Sequence, residues 1–184
     1  SVLQLLNKIH FAFSKFAHNQ SSNNSKGLLF TDYNFMHNKI PDIREVYRPH
    51  GFLEFEPLLP LAKAKNSIRE LLEVCQRNKT QSLLCAMKAH KEDDFLVSYE
   101  GQGFSVGIDI QMAGRNINDI TTFSKKVYDF TIEKNGKIYL AKDERLDKNN
   151  FRKMYSGFQE FAELKQTYDS LERFSSNMYR RLFC

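Results

Sequence analysis

Apolar residues recur along the chain at two spacings, and these define the expected elements. Residues 3–17 carry Leu3, Leu6, Ile9, Phe13 and Phe16 at helical spacing, with His10 on the same helix as a packing or surface side chain. Residues 18–27 (HNQSSNNSKG) are polar and low in complexity and read as a loop. Residues 51–59 (GFLEFEPLL) alternate: Phe52, Glu54 and Glu56 point one way, Leu53 and Phe55 the other. That is a strand, ended by Pro57 or Pro60.

Residues 61–78 place Leu61, Ala64, Ile68, Leu71, Leu72 and Cys75 on one helical face, and Pro60 suits the helix start. Residues 82–90 read as a strand with Leu84, Ala86, Lys88 and His90 on one face. After a charged turn from Lys91 to Asp94, residues 95–99 are a short strand candidate. Residues 103–112 alternate most clearly, with Phe104, Val106, Ile108, Ile110 and Met112 together. A second amphipathic helix spans 116–135, capped by Asn116 or Asn118 and stopped at Asn135-Gly136. A short strand over 137–141 follows, then a helix from Asp147 to Tyr155 and another over about 158–169. Hairpin-like neighbours outnumber crossovers in this order. The expected fold is α+β: a mostly antiparallel sheet with helices packed on one face.

Composition narrows the function classes. The chain of 184 residues is 41% apolar and 27% charged, with 16 Phe and no Trp. That length can bury a sizeable core without disulfides or metal. The formal charge is +5, but Lys and Arg are scattered and show no basic run interleaved with aromatics, so no nucleic-acid partner is expected. A phosphate-bearing ligand or a peripheral contact with an anionic membrane fits the charge equally well. Cys75, Cys85 and Cys184 lack metal-ligand spacing, so no metal is expected. Their sparse, odd count fits a reducing compartment, and a cytoplasmic location, extending to the inner membrane face, is expected. No apolar run is long enough for a transmembrane segment.

Familiar catalytic motifs are missing: there is no GxGxxG, P-loop, GxSxG or HExxH. What remains are charged residues on strands. Lys88 and His90 either lie at the solvent rim of an edge strand, or the lysine meets an anion or a charged ligand. Glu54 and Glu56 either form a solvated face, which the pattern favours, or bind sugar hydroxyls, one of them acting as a base. In GKIYLAKDERL, Tyr139 and Lys142 fall on opposite sides of a straight strand, and share a cavity only if the strand ends near Lys142.

That segment, with FRKMYSGFQEFAELKQTYDSLERFSSNMYRRL after it, resembles the C-terminal end of FAD-linked oxidoreductases of the vanillyl-alcohol oxidase superfamily, aldonolactone oxidases among them. It is most similar to the branch that oxidises a lipid-phosphate-linked ribose. The likeness covers roughly residues 35–184, is specific over 136–184, and extends more loosely to GFLEFEPLLP, CAMKAH and GQGFSVGIDI.

The resemblance implies an FAD-dependent enzyme that removes hydride from a sugar carbinol carbon. Lys142 matches a lysine that reaches the flavin and the substrate pocket, and Tyr139 a tyrosine lining that pocket. Lys88 matches a pocket lysine. Glu54 and Glu56 stand where that branch has two glutamines near the sugar, His90 where it has an aromatic, and Ser105 where it has an asparagine. MYS replaces an M-Y-P, and Asp169-Ser170 replaces a D-P pair. In such enzymes a separate N-terminal domain binds most of the FAD. Residues 1–34 are then expected to be a helix and polar loop leading to that domain, and 35–184 the substrate or cap domain. The implied partners are that FAD-binding domain and a sugar or lipid-linked sugar. The alternatives are an aldonolactone or alditol oxidase domain, or a non-catalytic ligand- or partner-binding domain of the same fold.

Overall fold

The computed structural model describes residues 29–31, 45, 47–80, 82 and 85–184. The chain divides into two units, Ser1–Ile43 and Arg44–Cys184. The helix expected over 3–17 and the loop over 18–27 lie outside the described residues, as does Leu84. The rest of this description concerns the second unit.

Its centre is a five-stranded antiparallel sheet. Strands β1 (Phe52–Phe55) and β2 (Pro57–Pro60) form one interrupted edge along β4 (Gly103–Gln111). The register never slips: Phe52 faces Gln111, Phe55 faces Ile108, and Pro60 faces Gly103. The interruption falls at Glu56, next to Pro57, which has no N–H to give the ladder. Strand β3 (Cys85–His90) pairs with the other edge of β4, and β5 (Lys137–Ile138) pairs with β2.

Alternation then sorts the side chains. One face carries Phe55, Leu59, Val106, Ile108 and Ile110, all buried. Against it pack helices α1 (Ala64–Arg77) and α2 (Ile117–Glu133). Phe123 and Tyr128 of α2 meet the Phe55 ring edge-on, at centroid distances of 5.8 and 6.0 Å. Helices on one sheet face are therefore present, but the first stripe is narrower than expected: α1 begins at Ala64 after a turn over 61–63, and Leu61 and Leu72 are exposed while Ala64, Leu71 and Cys75 are buried.

Helix α2 starts in a capping box. Asp119 N–H donates to the Asn116 side chain at 2.9 Å, and Asn116 N–H donates to the Asp119 carboxylate at 3.3 Å. It ends where Asn135 takes a left-handed φ of 57°. Gly136 follows, and only a glycine fits: a Cβ there would sit 2.4 Å from the Leu58 carbonyl oxygen. This close approach lets β5 lie directly beside β2.

Helices α3 (Lys148–Met154), α4 (Phe158–Tyr168) and α5 (Asn177–Phe183) complete the chain. Asp147 caps α3 as expected, accepting from the Asn149 and Asn150 N–H groups at 2.8 and 3.0 Å. Tyr155, just after α3, donates its hydroxyl to the Ile138 carbonyl at 2.7 Å and ties this helix to β5.

Two further expectations are corrected. Residues 95–99 form turns and bends, with no strand. Asp93 organises them locally, accepting from Phe95 N–H at 3.1 Å and from the Ser98 hydroxyl at 2.6 Å. The strand expected over 137–141 stops at Ile138, and residues 140–142 turn.

Candidate active site on the polar face of the sheet

The face opposite the helical core carries the charged residues. Facing strands share side-chain direction, so Glu54 and Glu56 lie with Ser105, Asp109, Lys88 and His90. Tyr139 joins them, because its N–H donates to the Glu56 carbonyl at 3.1 Å in continuation of the β5 ladder. The chain then turns, with Lys142 N–H donating to the Tyr139 carbonyl at 3.2 Å. That turn brings Lys142 back over the same face. All seven residues singled out in the sequence (Glu54, Glu56, Lys88, His90, Ser105, Tyr139 and Lys142) are thus brought together.

Glu56 is the hub. Its side chain is 1% exposed, which overturns the solvated-face reading for this residue. Burying a carboxylate is costly unless it is paired, and here every acceptor site is used. Lys88 donates to both oxygens, at 2.9 and 3.1 Å. The Ser105 hydroxyl donates to Oε1 at 2.8 Å, and Lys142 Nζ lies 2.9 Å from Oε2. Burial pushes the Glu56 carboxyl pKa up, but the hydrogen bonds from Lys88, Lys142 and Ser105 outweigh it and hold the group below its ordinary value.

Lys142 also pairs with Glu54. Burial opposes its charge, yet the two glutamates win and raise its pKa, so it stays an ammonium. Lys88 is half-exposed, with its side chain at 49% and its head on Glu56. Lys88 therefore reaches the solvent rim while its ammonium meets an anion of the protein itself, Glu56. Room for the two carboxylates comes from Gly107, where a Cβ would lie 3.2 Å from Glu54 Oε1 and 3.8 Å from Glu56 Oε2.

His90 Nε2 sits 2.8 Å from the Ser105 hydroxyl oxygen. Burial lowers its pKa, and Lys88 adds to that lowering against the opposing pull of Glu56. Its ring meets Tyr99 edge-on at 5.1 Å, and Tyr99 lies 4.7 Å from the ring of Tyr139.

Two contributors were missed in the sequence. Tyr99 donates its hydroxyl to the Glu56 carbonyl at 2.7 Å; its segment has no periodicity that would flag it. Asp143 is buried directly after Lys142. It accepts from the Tyr128 hydroxyl at 2.8 Å, and from the N–H groups of Arg145 and Leu146 at 2.8 and 2.6 Å. An acidic residue next to a turn lysine was the available signal. Beside the cluster opens a mostly apolar pocket of about 630 Å³, whose wall includes Tyr99, Tyr139, Leu140, Phe174 and Met178.

The family model of D-arabinono-1,4-lactone oxidase matches residues 4–182. An α+β sheet with these residues on its polar face thus falls within an oxidoreductase family. The chain belongs to the D-arabinono-1,4-lactone oxidase family. It is also similar to decaprenylphosphoryl-beta-D-ribose oxidase of Mycolicibacterium smegmatis, at 24% identity over 159 residues. That match covers 79% of this chain and 34% of the relative, so the chain spans about a third of the relative's length. The family resemblance carried by residues 136–184 is borne out by both matches. No described helix is long and apolar enough to cross a membrane.

Proposed function

We propose that this chain is the substrate-binding domain of an FAD-dependent oxidoreductase that oxidises the carbinol of a sugar or lipid-linked sugar. The single observation that carries this reading is the Lys142 ammonium, fixed in the turn after β5 by Glu54 and Glu56 on the face shared with Tyr139.

The donor set suits the ring of a flavin. Lys142 is a fixed cation and Tyr139 an aromatic wall, and both border the open pocket or the cluster beside it. The described residues include no glycine-rich turn opening a helix that would cradle a pyrophosphate, which fits a flavin held mainly by another domain. When bound, the flavin accepts the hydride.

The chain's own residues do the rest. Lys142 stabilises the negative charge developing on the substrate oxygen. Glu54, the more accessible carboxylate at 21% exposure, takes the hydroxyl proton. Lys88, His90 and Ser105 orient the remaining hydroxyls. The apolar pocket wall supports room for a lipid portion.

The test is Lys142→Ala in the full-length, FAD-loaded protein, followed by anaerobic flavin reduction. The expected result is retained FAD with reduction slowed by about 10²–10³-fold. An unchanged rate would remove Lys142 from the chemistry. The family match favours a second reading, an aldonolactone or alditol oxidase, which would show as reduction by a free lactone or polyol. Flavin that stays oxidised with every sugar would support the non-catalytic, ligand-binding alternative.

A further inference from the structure

The chain as a whole is basic, with a formal charge of +5, which on composition alone suits a phosphate-bearing ligand. The charge balance on the polar face is different. Lys88 and Lys142 are matched there by Glu54 and Glu56. A third carboxylate, Asp109, is 8% exposed on the same face and accepts from the Tyr47 hydroxyl at 3.1 Å.

We infer that Glu54 and Glu56 are specificity-determining residues that exclude anions from the two lysines, so that this locus takes an uncharged diol. The inference rests on the substrate-site reading above and deepens it.

Glu56 cannot swing away to free the lysines, since it is buried and all four of its acceptor positions are occupied. A phosphate arriving between Lys88 and Lys142 would meet two fixed carboxylates at close range. Glu56 is dry and Glu54 only 21% exposed, so solvent screens the repulsion only in part, although both ammonium groups keep some access to water. A hydroxyl meets the opposite situation. An ammonium has three donors, and each lysine directs two contacts at the glutamates, which leaves one N–H each for a ligand oxygen. Glu54 offers its second oxygen as an acceptor. Two donors and one acceptor on a short arc match the alternating needs of neighbouring sugar hydroxyls. In a lipid-phosphate-linked substrate the phosphate would then lie outside this cluster.

Inorganic phosphate is the probe. It is titrated at constant ionic strength into the full chain, reading the amide resonances of Tyr139 and Lys142 by NMR. Wild type should show no saturable shift. Glu54→Gln, which leaves the buried Glu56 hub intact, should bind phosphate saturably, at least about tenfold more tightly than the limit set by the wild-type titration. Glu54→Asp keeps the charge and should behave as wild type, which separates charge from any disturbance of the fold. Saturable phosphate binding by wild type, or Glu54→Gln binding no tighter, overturns the inference. The readout needs no turnover. A failure of every sugar to reduce the flavin would sink the oxidase reading and leave the phosphate result standing.

Discussion

Glu56 and Lys142 meet at 2.9 Å across the end of the sheet, one from the interruption between β1 and β2 and the other from the turn after β5. The same carboxylate holds Lys88 at 2.9 Å. One buried anion therefore fixes two cations from different elements, and its loss should be felt by both.

Glu56→Ala is expected to destabilise the fold by about 2 kcal/mol. Breaking a buried pair costs more than this when both partners are dry, but Lys88 and Lys142 retain partial solvent access, which offsets part of the loss. Glu56→Gln should cost less. Urea denaturation measures both. The pH dependence of the gap between wild type and Glu56→Gln carries the sign. A carboxyl whose folded pKa is depressed stabilises the fold above its unfolded value, near 4.5, and the contribution is lost as pH falls through the lower folded value. Lys142 is shifted upward, so its share is present below about 10.5 and is lost only as pH rises past that. The gap should be flat at neutral pH and close in acid. A gap unchanged into strong acid would contradict the charged hub.

His90 should be neutral at pH 7 with its proton on Nε2. Ser105 already donates its hydroxyl hydrogen to Glu56, so at 2.8 Å its oxygen can only accept from the ring. Burial lowers the His90 pKa below 6.5. Nitrogen NMR should report an Nε2–H tautomer with a titration midpoint under that value. Ser105→Ala should remove the tautomer preference. A midpoint above 6.5 in the wild type would mean that Glu56 dominates the ring.

Much of this site was legible because strand side chains alternate with period two. Glu54, Glu56, Lys88 and His90 could be placed on shared faces from spacing alone, and constant register along β4 brings those faces together. Burial was not legible. An alternating Glu pair reads as a solvated face, and only the arrival of Lys88, Lys142 and Ser105 from elsewhere makes it tolerable to bury Glu56. Tyr139 and Lys142 hinged on where a strand ends. That end is set by a turn whose anchor, Asp143, is held by α2 and by the following backbone, and neither contact leaves a local mark. Tyr99 was invisible for the same reason: it reaches Glu56 from a loop.

Asp143 leads to the last prediction. It touches neither Glu54 nor Glu56, yet it holds the turn that presents Lys142: Tyr128, Arg145 and Leu146 all donate to its carboxylate, and Arg181 donates to its carbonyl at 2.9 Å. It is therefore a positioning residue. Asp143→Asn keeps the size and one acceptor oxygen, and should cost about 1–2 kcal/mol, mostly through the hydrogen bonds weakened with the charge. Asp143→Ala leaves a buried tyrosine hydroxyl and two backbone N–H groups without partners, and should cost about 2–4 kcal/mol. A merely structural loss would lower the urea midpoint and leave the local geometry of the folded fraction unchanged. A positioning role predicts more: under conditions where the variant is fully folded, the Lys142 amide resonance should shift and broaden while those of Glu56 and Ser105 stay put. Under the proposed oxidase function, the maximal rate of flavin reduction in the full-length, FAD-loaded protein should also fall, with little change in the sugar concentration giving half that rate. Asp143→Asn should recover most of both, and if it does not, the charge itself and not the hydrogen-bonded turn is what Lys142 depends on.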